Sequence, residues 1–174
     1  DPRFTDNGDD TITDNLTGLM WTKDGNAPGP AVCYPAVTKT WQAALDYIAC
    51  LNANSYLGYT DWRLPNVNEL RSLIHSEVSV STWLNTQGFI NVQSDYYWSA
   101  TFRAARPDEA WVVNMDDGYV GAGPKTELLY VWPVRSWQSG LFGDSVISLP
   151  KTGQTTCYDS SGNLIACEGT GQDG

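Results

Sequence analysis

A chain of 174 residues with 20 acidic against 10 basic side chains, net charge −10, is long enough for one domain with a buried core and a short appendage. Its Lys and Arg are scattered singly, so nucleic acid is excluded as a partner, and no apolar run approaches the roughly 20 residues of a membrane span. With 41% apolar and only 17% charged residues, and with 16 Gly, 9 Pro, 8 Trp and 9 Tyr, the composition excludes a disordered or helical-repeat chain and predicts a loop-rich, aromatic-rich globular fold. The opening Asp1-Pro2-Arg3-Phe4 has neither the basic start nor the apolar stretch of a signal peptide, which predicts a mature or excised chain.

From Arg3 to Trp21 polar and apolar residues alternate around Asn7-Gly8, a dipeptide suited to the positive φ angles of a tight turn, and this predicts an opening β-hairpin. Thr22 to Lys39 is broken by prolines and glycines and reads as a long loop. After a Thr40 N-cap, Trp41, Ala44, Leu45, Ile48 and Leu51 recur at helical spacing and put Cys50 near the end of a helix. Asp61 to Leu64 reads as a short buried segment; Asn66 followed by Glu69 is a capping-box pattern and predicts a second helix from about Asn66 to Ile74. A weaker helical piece spans Ser81 to Gln87. The period then falls to two, and strands are expected over 97–102, 110–114, 119–121 and 128–134, with Asp116-Asp117-Gly118 as a hairpin turn. The fold class predicted is α+β: an N-terminal hairpin, two packed helices, and an antiparallel sheet built from the second half.

Past Trp137 only Phe142, Val146, Ile147 and Leu149 are able to bury much, so residues 1–139 are expected to form the domain and 140–174 a linker or docking tail. The cysteines fall as two local pairs, Cys33 with Cys50 and Cys157 with Cys167, at spacings that fit neither a zinc site nor a thioredoxin motif. Two disulfides are the expected state, and folding the chain about Gly162 sets Cys157 opposite Cys167; four buried free thiols are the alternative. Each bridge would stabilise by about 3 kcal/mol.

Five blocks in order, RFTDNGDDTITDNLTGLMWTKD, TWQAALDYIACLN, GYTDWRLPNVNELRSLI, YYWSAT and YVWPVRSW, resemble the C-terminal domain of the Legionella collagen-like adhesin. The resemblance implies a C-type lectin-like fold and a secreted bacterial surface module for adhesion or binding. Its ligand would be a glycan or a host or cell-surface molecule, and it would often stand in tandem copies. The tail resembles the linker between such copies, so other copies of the chain are the expected partners, either in an adhesive array or in a structural filament joined through the tail. The net charge of −10 departs from the basic surfaces by which adhesive members bind sulfated glycosaminoglycans.

The resemblance also implies that ligand contacts lie in the second half. The residues expected there are Tyr96, Phe102, Arg103, Arg106, Asp108, Asp116, Asp117, Tyr119 and Lys125, with Arg103 and Arg106 as anchors for anionic groups. The aromatic residues Tyr96-Tyr97-Trp98, Trp111 and Tyr119 are platform candidates, and strand alternation puts Tyr96 and Trp98 on one side and Tyr97 on the other. Trp62, Arg63, Trp132, Pro133 and Arg135 suit structural roles.

Asp6, Asn7, Asp9, Asp10 and Asp14 gather hard oxygen donors of the kind calcium takes, although their order is not that of an EF-hand and a turn with an acidic outer face explains them as well. Catalysis has little to draw on. His75 is the single histidine and reads as a surface or capping residue, and Cys33 and Cys50 lie outside the late strands where a lectin-like site would form; an enzyme like the sulfatase-modifying relatives that the resemblance brings in is the third and least favoured alternative, and it predicts reactive thiols.

Overall fold

The computed structural model describes residues 2–136, 152–159, 161–167, 170 and 172. In chain order the elements are β1 (Phe4–Asp6), β2 (Thr11–Asp14), β3 (Leu19–Thr22), α1 (Trp41–Ala53), α2 (Val67–Ser72), α3 (Val80–Thr86), β4 (Tyr96–Arg103), β5 (Arg106–Asn114), β6 (Val120–Pro124), β7 (Val134–Ser136), β8 (Cys157–Tyr158) and β9 (Leu164–Ile165). The domain boundary expected near 139 and the apolar residues Phe142, Val146, Ile147 and Leu149 lie outside the described residues.

The Asn7-Gly8 turn forms as the alternation predicts, with Gly8 at φ 75° and Phe4 opposite Asp14. Asn7 Nδ2 fixes it by donating to Thr11 Oγ1 at 2.8 Å and Thr13 Oγ1 at 3.0 Å. The hairpin is one part of a larger sheet, however. β2 turns again at Gly18 and pairs with β3, and β3 pairs with β7, giving the antiparallel order β1-β2-β3-β7. The strand expected over 128–134 is therefore corrected. Residues 129–134 run as a seam of single bridges, Lys39 to Leu129, Tyr97 of β4 to Tyr130 and Arg63 to Val134, and the chain then joins the N-terminal sheet as β7. Strand periodicity shows that such a segment is extended and alternates sides; it does not show which sheet receives it.

Both predicted helix starts hold. Thr40 Oγ1 accepts from the Ala43 amide, and Asn66 and Glu69 close a reciprocal capping box. The expected pair of helices becomes three, because Val80–Thr86 is a full helical element. Nor do the first two share a core: α1 lines one apolar cluster with Trp62, Trp98, Ala110 and Val112, whereas α2 lines another with Trp21, Phe89, Tyr97, Val113 and Trp132.

The partition between these clusters is the sheet β4-β5-β6. Tyr97 pairs with Val113 and both face the α2 side; Trp98 pairs with Val112 and both face the α1 side, as strand alternation requires. The seam repeats the pattern, with Val131 in one cluster and Trp132 in the other.

Buried indoles tie these layers together, since a ring placed in a core must still satisfy its N–H. Trp41 Nε1 donates to Ser99 O at 2.9 Å, and Trp98 Nε1 donates back to Lys39 O at 2.8 Å, stitching the start of α1 to β4. Trp132 Nε1 donates to Thr22 O at 2.9 Å, joining the seam to β3. Replacing Trp41 with Phe removes the donor and part of the ring, leaving the Ser99 carbonyl unpaired and a small cavity. The variant should lose at least about 2 kcal/mol in urea unfolding without reductant, and an unchanged midpoint would contradict the stitch.

Candidate binding surface at the tail socket

The tail forms the disulfide hairpin that folding about Gly162 predicts. Cys157 faces Ile165, Tyr158 faces Leu164, and Cys157 is bridged to Cys167. Asp159 holds the turn: its Oδ1 accepts from the Ser161 amide at 2.9 Å and the Asn163 amide at 2.8 Å. The Asn163 side-chain hydrogen bond, first among several contacts, keeps its carboxyl below the usual aspartate range. Two residues per strand cannot enclose a core. The hairpin rests on the Arg103–Arg106 end of the β4-β5 pair: the Tyr158 ring meets Phe102 edge-on at 4.9 Å, the Phe102 amide donates to Gln154 Oε1 at 3.2 Å, and Gly162 lies against Pro107 and Asp108.

Lys125 centres this socket. It is 1% exposed, its Nζ lies 3.9 Å from the centre of the Trp41 ring, and it donates to Asp159 O at 3.2 Å and Tyr158 O at 3.5 Å. Its backbone is held as closely, with its amide donating to Asp108 O at 2.9 Å and its carbonyl accepting from the Trp41 amide at 3.0 Å. Burial pushes its ammonium down to about 8, against the opposing pull of Asp159 and Asp108.

The residues expected to form one ligand face separate along β5. Phe102, Arg103, Arg106, Asp108 and Lys125 gather at the socket, but on or beside strands rather than in free loops, and Phe102 and Lys125 are buried. Arg103 and Arg106 share the Glu109 carboxylate at 2.8 and 2.9 Å. Asp116, Asp117 and Tyr119 stand at the other end of the strand, roughly 25 Å away at about 3.3 Å per residue. There Asp117 Oδ1 accepts the Tyr119 amide at 2.9 Å, and Tyr119 is exposed. Tyr96, opposite Asn114, packs half-buried against the α1 cluster.

The N-terminal oxygen donors are turned to local partners. Asp6 pairs with Lys23 at 2.7 Å and is held below its ordinary range chiefly by that contact. Asp9 Oδ1 caps the Thr11 amide at 3.1 Å, and buried Asp14 pairs with Arg3 at 2.9 Å. Among the described residues no three His, Cys, Asp or Glu side chains converge as a metal-holding group. His75 stacks on Trp83 at 4.6 Å, and its Nδ1 accepts from the Glu77 amide at 3.4 Å. Arg63 grips Glu69 through two hydrogen bonds of 2.7 and 2.6 Å, and Arg135 grips Asp61 while lying 4.0 Å from the Tyr59 ring, in accord with structural roles for these arginines.

A second surface has, apart from Cys33 and Cys50, no counterpart in the residues singled out from sequence. The end of the proline- and glycine-broken loop and one face of α1 border an open cleft of about 580 Å³ lined by Val32, Tyr34, Val37, Lys39, Tyr47 and Leu128, beside the Cys33–Cys50 disulfide. The available signal was the run Ala31-Val32-Cys33-Tyr34-Pro35-Ala36-Val37, which is apolar in a stretch with no strand or helix period.

Titration of Lys125 gives the socket a signature. Above pH 8 the folded chain sheds a proton that the unfolded chain keeps up to the ordinary value of 10.5, so this residue makes stability rise with pH across that window. The urea midpoint of the wild type should gain on that of Lys125→Met between pH 7.5 and 9.5; midpoints that run parallel would show that the amine is not buried.

Comparison with curated proteins finds no match for this chain. The family model described as the Lcl C-terminal domain matches residues 10–135, a span that runs from the first β-turn to β7, takes in both clusters except Phe4, the dividing sheet and Lys125, and stops short of the hairpin tail. The chain therefore belongs to the Lcl C-terminal domain family, which associates it with the bacterial surface.

Proposed function

We propose that this protein is a secreted, non-catalytic adhesion or binding module with a C-type lectin-like architecture, working as one unit of an extracellular array on a bacterial surface. The observation that carries the reading is the seated tail. A hairpin too small to hold a core has its own disulfide and is gripped by a socket on the domain, which suits a joint between units. Both cysteine pairs being oxidised supports an extracytoplasmic setting. The antiparallel sheets with flanking helices accord with the lectin-like reading. A glycan or cell-surface ligand would find exposed Tyr119 and half-exposed Trp111 beside the glycine-containing strand β6. A purely structural filament subunit is the second reading, favoured by the same hairpin.

The test is saturable binding of the full chain to bacterial and host cell surfaces and to a glycan panel, in calcium and in chelator, beside sedimentation over a range of concentrations. Binding that Tyr119→Ala weakens at least tenfold supports the adhesive reading. Self-association without any surface binding would replace it with the structural one, and a monomer that binds nothing would contradict both.

A further inference from the structure

The two disulfides hold different things. Cys33–Cys50 ties a loop to α1, a helix that Trp41, Leu45, Ile48 and Leu51 already fix in an apolar cluster, and Asn54 Nδ2 donates to both of its sulfurs, at 3.8 and 3.6 Å. Cys157–Cys167 closes a hairpin of two residue pairs, too short to hold a core. The grip of that hairpin on the domain runs through its bridge. Gln172, which follows Cys167, reaches back to Tyr158: its Oε1 accepts from the Tyr158 amide at 3.0 Å, and its Nε2 donates to Tyr158 O at 2.8 Å. Tyr158 in turn sets its ring on Phe102 and its carbonyl, with that of Asp159, on Lys125. Without the bridge the chain on either side of Gly162 regains the freedom that closing the loop had removed, and the clasp on Lys125 loses its frame.

The sulfurs differ in access as well. Cys33 is 3% exposed and Cys50 is half-buried, whereas Cys157, 1% exposed, is bridged to a Cys167 that stands in solvent. A thiolate must reach the sulfur it attacks, and exposed bridges are the more readily reduced. We propose that Cys157–Cys167 is a thiol-exchange site, with an extracellular dithiol as its co-reactant, and that its opening unseats the tail and uncovers the Lys125 amine while the domain stays folded. One thiolate of the dithiol attacks the exposed Cys167 Sγ; an S–S bond forms between them, the Cys167–Cys157 bond breaks, and Cys157 leaves as a thiolate that takes up a proton. The second thiol of the reductant then attacks its own sulfur in the mixed disulfide, expels Cys167 as a thiolate that is protonated in turn, and departs as a cyclic disulfide. Two electrons and two protons pass to the hairpin. The amine so uncovered lies 3.9 Å from the centre of the Trp41 ring and 5.8 Å from that of Phe102, so the hairpin is a cover over a cation–aromatic recess, closed when oxidised and open when reduced. The device acts whatever the domain binds, and whether or not copies join.

The test treats the full chain with graded dithiothreitol, quenches in acid, removes the reductant, and applies a brief acetylation pulse read lysine by lysine in a mass spectrometer; a parallel sample alkylated with iodoacetamide reports which thiols are free. In the untreated protein Lys125 should acetylate at least tenfold more slowly than Lys23, whose side chain is 28% exposed. Once Cys157 and Cys167 become alkylatable, and before Cys33 and Cys50 do, Lys125 should speed up at least tenfold while Lys39, buried beside the other bridge, stays slow. The variant Cys157→Ser/Cys167→Ser should label rapidly at Lys125 with no reductant and slowly at Lys39. A Lys125 that stays slow after its neighbouring bridge opens, or in that variant, overturns the proposal, as do opening of Cys33–Cys50 first and a joint rise of Lys39 and Lys125. Rapid labelling of Lys125 in the untreated protein overturns the cover itself.

Discussion

Two indole rings trade hydrogen bonds across the middle of this domain, and much of the rest is arranged around that exchange. Trp41 at the start of α1 donates to the backbone of β4, and Trp98 on β4 donates to the backbone just before α1. A buried tryptophan contributes a large apolar area and demands an acceptor, and here each ring finds it in backbone within two residues of the other. The stitch sets the helix against the dividing sheet, closes one of the two apolar clusters, and turns a face of Trp41 toward Lys125. The ammonium that lies on that face is the one that holds the tail. Core packing and the reach of the tail are thus linked by a single ring.

The dividing sheet has a further consequence. Because successive residues of β4 and of the seam face different clusters, neither cluster can be repacked alone; a shift that suits Trp98 moves Tyr97, and one that suits Val131 moves Trp132. Such a frame suits a module exposed outside the cell, where disulfides and a close-packed core must keep surface loops in place. The ion pairs Arg63–Glu69 and Arg135–Asp61 work on the same frame at its margin, holding the Asp61–Leu64 segment to α2 and to β7.

Much of this was legible in the residues, and what was not has identifiable causes. Local chemistry was clear: the Asn7-Gly8 turn, the Thr40 cap and the Asn66–Glu69 capping box depend on neighbours a few positions apart, and the cysteine pairs on partners 17 and 10 positions apart. Assignment of a strand to a sheet was not. Residues 129–134 alternate like any strand, and only tertiary packing makes them a seam that touches β4 at Tyr130 and reaches β3 at Val134. The candidate site divides the same way. Sequence brought Phe102, Arg103, Arg106, Asp108 and Lys125 to one region, but nothing in Gly-Pro-Lys announced that the amine would be buried on an indole 84 positions earlier (125 − 41) and capped by tail carbonyls. The resemblance groups Asp116, Asp117 and Tyr119 with them, whereas the length of β5 sets these three at its opposite end.

The central claim is that the stapled hairpin is seated on the domain through Lys125 and the Trp41 platform. Hydrogen exchange followed by mass spectrometry on the full chain measures this directly. Amides of residues 155–159 should be protected in the wild type and lose that protection in Lys125→Met, while α1 and β4 stay protected in both. Tail amides that exchange at unstructured rates in the wild type would contradict the account.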